Sequence, residues 1–227
     1  ILLIFKGLSM TPSHVSVVRG KLPELPLGPL PLPSLADEPL LDVVRLIRTP
    51  TIGPITFFTL IRRFGSAKEA LARVPELALR GGRKTALQTS SPEQAEKEIA
   101  AATRFGACLA VYGQAEYPSL LQMISDPPPV ITLMGNSMLA QRPCVGVVGA
   151  RNASANGCAF AKKISAELGE AGITVVSGLA RGIDTFAHQG ALAHGTVAVI
   201  AGGIDTVYPP ENARLTQQIR EQGSAIS

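Results

Sequence analysis

Two arginines set beside glycines are the residues of this chain best suited to chemistry. Arg151 follows Gly149-Ala150, and Arg181 stands within Ser177-Gly178-Leu179-Ala180-Arg181-Gly182. Each comes just after a short apolar run, Cys144 to Val148 in the first case and Ile173 to Val176 in the second. A third run, Val197 to Ile200, stops at Gly202-Gly203. Guanidinium groups beside backbone amides and helix N-termini make an anion site, for phosphates above all. Any one of these glycines could serve only a tight turn, and a lone surface arginine is ordinarily just solvated. Two arginines on neighbouring strand ends carry the anion reading. Asp184 and His188 form a second constellation, four residues apart and so on one helix face. A hydrolase would use such a pair for acid–base work. The other reading is structural, with Asp184 capping the helix that follows it and His188 bonded to a neighbouring loop.

The elements that must position these residues follow from the apolar pattern. Continuous apolar runs of this length suit strands buried on both faces. Between them lie helix-length segments. Residues 159–168 place Phe160, Ile164 and Leu168 on one stripe, predicted to be buried. Residues 185–192 are apolar at Phe186, Ala187, Ala191 and Leu192. Alternating strand and helix predicts right-handed crossovers and an open parallel, Rossmann-like sheet of the α/β class. Ligands bind such sheets at the carboxyl ends of the strands, where all three glycine loops fall. A dinucleotide does not fit them. The first loop reads Gly146-Val147-Val148-Gly149-Ala150-Arg151, not GxGxxG, and the second strand ends in Ser177-Gly178-Leu179 with no acid for a ribose. No GxxxxGK[ST] loop, no Ser-His-Asp arrangement and no metal-ligand spacing is present. The expectation is therefore no cofactor, no metal and no catalytic residue.

The N-terminal part reads differently. Lys21 to Pro39 is dense in proline and lacks amphipathic period, so residues 1–38 are expected to be an extended or disordered leader. Residues 39–105 predict a small all-α domain. Leu40 to Ile47 is a helix, and Pro54 starts another after a turn at Thr51-Ile52-Gly53. That helix is apolar at Ile55, Phe58, Leu60, Ile61 and Phe64 and ends at Gly65. Ser66 opens a short helix, and Ser91 caps a longer one over residues 92–105. Helix, glycine turn, helix resembles a SAM-like or helix-hairpin-helix unit. Residues 62–84 hold seven Lys and Arg against two Glu, an excess larger than the whole chain's net charge of +4. Two readings stand for this unit: DNA backbone contact through turn amides, or a packing and protein-contact domain with a solvated basic face. The remainder, residues 106–227, forms the sheet domain, with Ala107 to Tyr112 and Val130 to Met134 as added strands.

At 227 residues and 46% apolar content, two domains with real cores are expected. The net charge is too modest to show nucleic-acid binding by itself. Cys108, Cys144 and Cys158 are odd in number and scattered, which predicts buried free thiols in a reducing cytosol. The apolar start ILLIF is too short to span a membrane and lacks the charged start of a secretion signal.

Longer motifs add a resemblance. Val148-Gly149-Ala150-Arg151 with Gly157, then Ser177 to Asp184 as SGLARGID with Ala187-His188, then Gly202-Gly203-Ile204-Asp205 with Tyr208-Pro209 and Glu211-Asn212, follow one another in order. Upstream stand Tyr117-Pro118, Leu120-Leu121 and Asp126-Pro127-Pro128-Pro129. Together they resemble the DNA-processing protein A (DprA/Smf) family from about residue 107 to the end. SGLARGID is the specific part. The resemblance implies a non-enzymatic, cytoplasmic single-stranded DNA-binding protein of bacterial transformation and recombination. Such a protein protects incoming DNA, loads the RecA recombinase and works as a homodimer away from membranes. It further implies that Arg151 and Arg181 contact DNA phosphates, with Gly149, Ala150, Ser177, Gly178, Gly182, Gly202 and Gly203 completing the pocket. The alternative on the same fold is a nucleotide-binding, phosphoribohydrolase-like enzyme, whose glycine-threonine-glutamate loop would come after the fourth strand. A pure interaction scaffold is a third reading. One departure matters: the family's sheet continues through an FPxRNR segment, whereas this chain stops at Ser227, inside the expected strand at Ala225-Ile226. With Ile1 in place of Met and Met10 available as a start, the sequence is expected to be a fragment lacking part of the pocket and of the dimer surface.

Overall fold

The computed structural model describes residues 2–6, 32–82 and 85–227. Four helices come first: α1 (Leu40–Ile47), α2 (Pro54–Phe64), α3 (Ala67–Arg80) and α4 (Pro92–Arg104). Their ends are set by sequence. Gly65 follows α2 in the left-handed conformation, φ 87°, and its N–H donates to the Ile61 carbonyl. Ser66 accepts from the Glu69 N–H to start α3. Ser91 and Gln94 form a reciprocal capping box on α4. The helix opened by Ser66 runs 14 residues and carries Pro75 within it, so it is longer than the sequence suggested.

Helices α1 to α3 share one core built on Val43, Leu46, Phe57, Phe58, Ile61 and Leu71, joined by Val111 and Val130 from the sheet domain. On α2 the pattern predicted Ile55 on the apolar face, yet it is 70% exposed, and Phe57 takes the inward position. Leu35 is fully buried in this core and its N–H donates to the Tyr112 carbonyl. The helical unit thus includes Leu35, ahead of the expected boundary at Pro39. Residues 7–31, where most of the proline-rich leader falls, lie outside the described residues.

The sheet domain has seven strands: β1 (Leu2–Lys6), β2 (Cys108–Val111), β3 (Val130–Gly135), β4 (Cys144–Val148), β5 (Thr174–Ser177), β6 (Thr196–Val199) and β7 (Ser224–Ile226). Their order is β1-β4-β5-β6-β7-β3-β2. The four central strands β4 to β7 are parallel. The sheet is not wholly parallel: β1 joins β4, β3 joins β7 and β2 joins β3, each antiparallel. The sequence gives no sign of β1, because it reads only as an apolar start. The strand expected at Ala225-Ile226 forms and lies beside β6.

Three helices connect the parallel strands: α5 (Ala155–Glu170), α6 (Ile183–Ala191) and α7 (Ala213–Gln222). The buried stripe of α5 is not the predicted one. Phe160 is 53% exposed, and the inward positions are Cys158, Ala161, Ser165 and Gly169. The physical reason is close packing against α6. A side chain at Gly190 would strike the Lys162 backbone, and one at Gly169 would sit 2.7 Å from the His194 side chain. Small residues therefore face α6, while Ile164 and Leu168 of the predicted stripe are half-buried, with Leu168 packed against the core, and only Phe160 is turned out. Val145, Val147 and Val175 are fully buried beneath these helices. Each contributes roughly 1.5–3 kcal/mol of burial. Of the cysteines only Cys158 is buried; Cys144 is half-buried and Cys108 exposed, and all three are free. Among the described residues, no helix is long and apolar enough to cross a membrane.

Candidate nucleic-acid interface

The loops after β4, β5 and β6 meet at one edge of the sheet and enclose a cavity of about 450 Å³. Arg151 and Asn152 enter from the first loop, and Gly178, Ala180 and Arg181 from the second. Ile200, Ala201, Gly202, Thr206, Tyr208 and Pro209 enter from the third. The structure therefore brings together Arg151, Gly178, Arg181 and Gly202 of the predicted set. Gly149, Ala150, Ser177, Gly182 and Gly203 support the loops without lining the cavity. Asn152, Thr206 and Tyr208 are lining residues that the glycine-and-arginine pattern missed. The sequence signal for Tyr208 was the Tyr-Pro pair; in the structure the residue is 69% exposed at the cavity.

Gly182 holds the two arginine loops together. Its φ of 73° with ψ of −128° belongs to a region open only to glycine. A Cβ there would strike the carbonyl of Ala150 and the backbone of Arg151. The Ile183 N–H donates to the Ala150 carbonyl at 3.3 Å. This close approach sets Arg151 and Arg181 on one cavity.

Asp184 does not cap α6; Gly182 takes the cap position. The carboxylate is almost wholly buried and accepts from the N–H groups of Gly149 (3.4 Å), Gly178 (3.2 Å) and Ala180 (3.4 Å). It thus ties the β4 and β5 strand ends to one helix. The amides of Gly149 and Gly178 are consequently occupied. The hydrogen-bond donors left to face the cavity at this edge are chiefly the two guanidinium groups.

Asn212 braces the second loop from the other side. Its amide donates to the Leu179 carbonyl and to the Thr185 hydroxyl, each at 2.9 Å. Leu179 itself has a left-handed backbone, φ 57°. Arg181, exposed at the cavity wall, lies 2.9 Å from the Glu211 carboxylate.

His188 is fully buried beneath the site. Its Nδ1 lies 2.7 Å from the Thr196 hydroxyl, which donates to the Val175 carbonyl at 2.8 Å. That hydroxyl's single proton is committed to Val175, so Nδ1–H is the donor. Burial pushes the His188 pKa down to about 4, against a weaker opposing pull from the Ser177 carbonyl. Asp184 and His188 share a helix face yet bond to different partners.

These features define a class: a small helical domain ahead of a Rossmann-like α/β domain, with an open, arginine-lined cavity at the strand ends. Residues 108–227 match the model of a family described as DNA recombination-mediator protein A, and residues 37–101 match a DprA-like N-terminal HHH domain. The first match covers more than half of the chain, and the chain belongs to the DNA recombination-mediator protein A (DprA/Smf) family. It is 42% identical over 118 residues to Protein Smf of Synechocystis sp., a match covering 49% of this chain and 30% of that one. It is 44% identical over 113 residues to DNA processing protein DprA of Streptococcus pneumoniae, covering 49% of this chain and 40% of that one. The matched segments are thus well under half of those relatives' length. The X-ray structure of DprA from Streptococcus pneumoniae superposes with a TM-score of 0.62 at 24% identity, over 84% of this chain and 68% of that chain. That likeness is one of fold.

Proposed function

We propose that the cavity at the β4, β5 and β6 strand ends binds the phosphates of single-stranded DNA. In this reading the protein protects incoming DNA in bacterial transformation and recombination and passes it to the RecA recombinase. It does so in the cytoplasm, as a homodimer, without catalysing a reaction. The observation that carries the reading is the meeting of Arg151 and Arg181 on one open cavity rimmed by the exposed Tyr208 ring. Guanidinium groups read phosphates without regard to sequence. An exposed aromatic ring offers a stacking platform that only unpaired bases can use, worth roughly 1–3 kcal/mol per base. Together they favour a single strand over a duplex and give weak sequence preference. The hydrolase alternative fares worse. His188 has no exposed surface, and the Asp184 carboxylate is committed to three backbone amides.

The test is competition of a labelled oligonucleotide with single- and double-stranded DNA across a salt series, for the parent and for Arg151→Ala, Arg181→Ala and Tyr208→Ala. Single strands should compete better. Each arginine variant should bind more weakly, with the slope of log affinity against log salt reduced by roughly 0.7. Tyr208→Ala should weaken binding with the slope unchanged. Equal competition by duplex, or arginine variants that match the parent at every salt concentration, would remove the reading.

A further inference from the structure

Arg181, one of the two cavity arginines, is already engaged in this structure. Its Nη2 lies 2.9 Å from Oε1 of Glu211, and both side chains are 58% exposed. Arg151, the other cavity arginine, has no ion pair among the described residues. Glu211 is carried on a fixed piece of backbone. It sits in the 3-10 turn Pro210–Asn212, ahead of α7. The next residue, Asn212, is buried and bonded through its amide to Leu179 and Thr185. The same asparagine thus braces the arginine loop and holds the turn that presents the carboxylate.

Resting on the phosphate-binding reading of the cavity, we propose that Glu211 is a built-in competitor for Arg181, whose carboxylate any phosphate must displace from the guanidinium. A lone phosphate gains one contact for the ion pair it breaks. A strand gains contacts at Arg151 and Tyr208 as well, so it carries the same penalty with affinity to spare. The device sets a threshold that favours a connected polyanion over inorganic phosphate or a mononucleotide. It acts without any movement of the fold, because only two exposed side chains exchange partners.

The experiment is a double-mutant cycle read by fluorescence anisotropy of a labelled oligo-dT at low salt. Glu211→Gln keeps the shape of the side chain and removes its charge. It should tighten binding about two- to fivefold, the range expected for one exposed ion pair. The gain should shrink as salt rises. In the Arg181→Ala background the same substitution should change affinity by less than half as much. Glu221→Gln, which removes an exposed carboxylate near the C-terminal end of α7, serves as the control for a general field effect and should give no comparable gain. Weaker binding by Glu211→Gln would mean that the carboxylate orients Arg181, and would overturn the proposal. An equal gain in the Arg181→Ala background would overturn it as well. In both cases the phosphate cavity itself would survive. If Arg151→Ala and Arg181→Ala each bind like the parent, the cavity reading fails and the competitor falls with it.

Discussion

The buried imidazole of His188 makes the stability of this protein depend on pH in a way that can be calculated. Folded, its pKa stands at about 4; unfolded, it returns to the ordinary 6.5. Below 6.5 the unfolded chain takes up a proton that the folded chain refuses. Stability therefore falls with pH between about 6.5 and 4 and levels off for this group below 4. The gap corresponds to about 3 kcal/mol at 1.36 kcal/mol per pKa unit, and burial is complete, so solvent screens none of it. Carboxylates also lose stability on acidification, so the parent alone is not diagnostic. The comparison is with His188→Gln, whose amide can still donate to the Thr196 hydroxyl but cannot titrate. Urea unfolding of both at pH 7, 6, 5 and 4 isolates the histidine. The variant is expected to be less stable at pH 7 and to close the gap by about 3 kcal/mol at pH 4. Parallel curves for the two proteins would show that His188 is not held neutral.

The loop architecture gives two further expectations. Gly182→Ala should cost about 2–4 kcal/mol, from a Cβ forced into a glycine-only conformation and against the Ala150 and Arg151 backbone. Thermal melting measures the loss, and oligonucleotide binding should weaken further than stability alone explains, since the two arginine loops separate. Asp184→Asn keeps one acceptor but loses the charge that three amides share, at about 1.5–3 kcal/mol. Urea unfolding should report that loss, and a stability equal to the parent's would show that the carboxylate is not what joins the strand ends.

Much of the site was legible because its parts are local in sequence. The three glycine loops, both arginines and the strands before them follow from runs of five residues or fewer, and Ser66 and Ser91 announced their helices in the same way. What escaped depends on contacts distant in sequence. Asp184 lies at the start of α6, where an acid ordinarily caps a helix. Only the approach of β4, which brings the Gly149 amide to it across 35 residues, turns the carboxylate inward. The α5 stripe failed for a related reason. Apolar spacing favoured Phe160, Ile164 and Leu168; the last two are half-buried, but the close glycine contacts between α5 and α6 give the most buried positions to Ala161, Ser165 and Gly169 and leave Phe160 outside. The antiparallel edges of the sheet escaped because strand direction is set by long connections, which apolar runs do not encode.

The way Asp184 spends its hydrogen bonds also constrains what the cavity can hold. A site built from loop amides binds one phosphate deeply, with the anion seated on the N–H groups of a helix start. Here the amides of Gly149, Gly178 and Ala180 face a buried carboxylate, whose negative charge sits beneath the cavity floor. An anion seated on those amides would meet both occupied donors and like charge. On the proposed reading, phosphates are thereby displaced outward to guanidinium groups at the ends of flexible side chains, and the exposed Tyr208 ring is left to a base. Such a surface holds each phosphate weakly and gains from having several linked together. A single nucleotide offers it one contact, whereas a strand offers many. On the phosphate-binding reading proposed above, the same buried acid that joins the two arginine loops tilts the site from small nucleotides toward polymers.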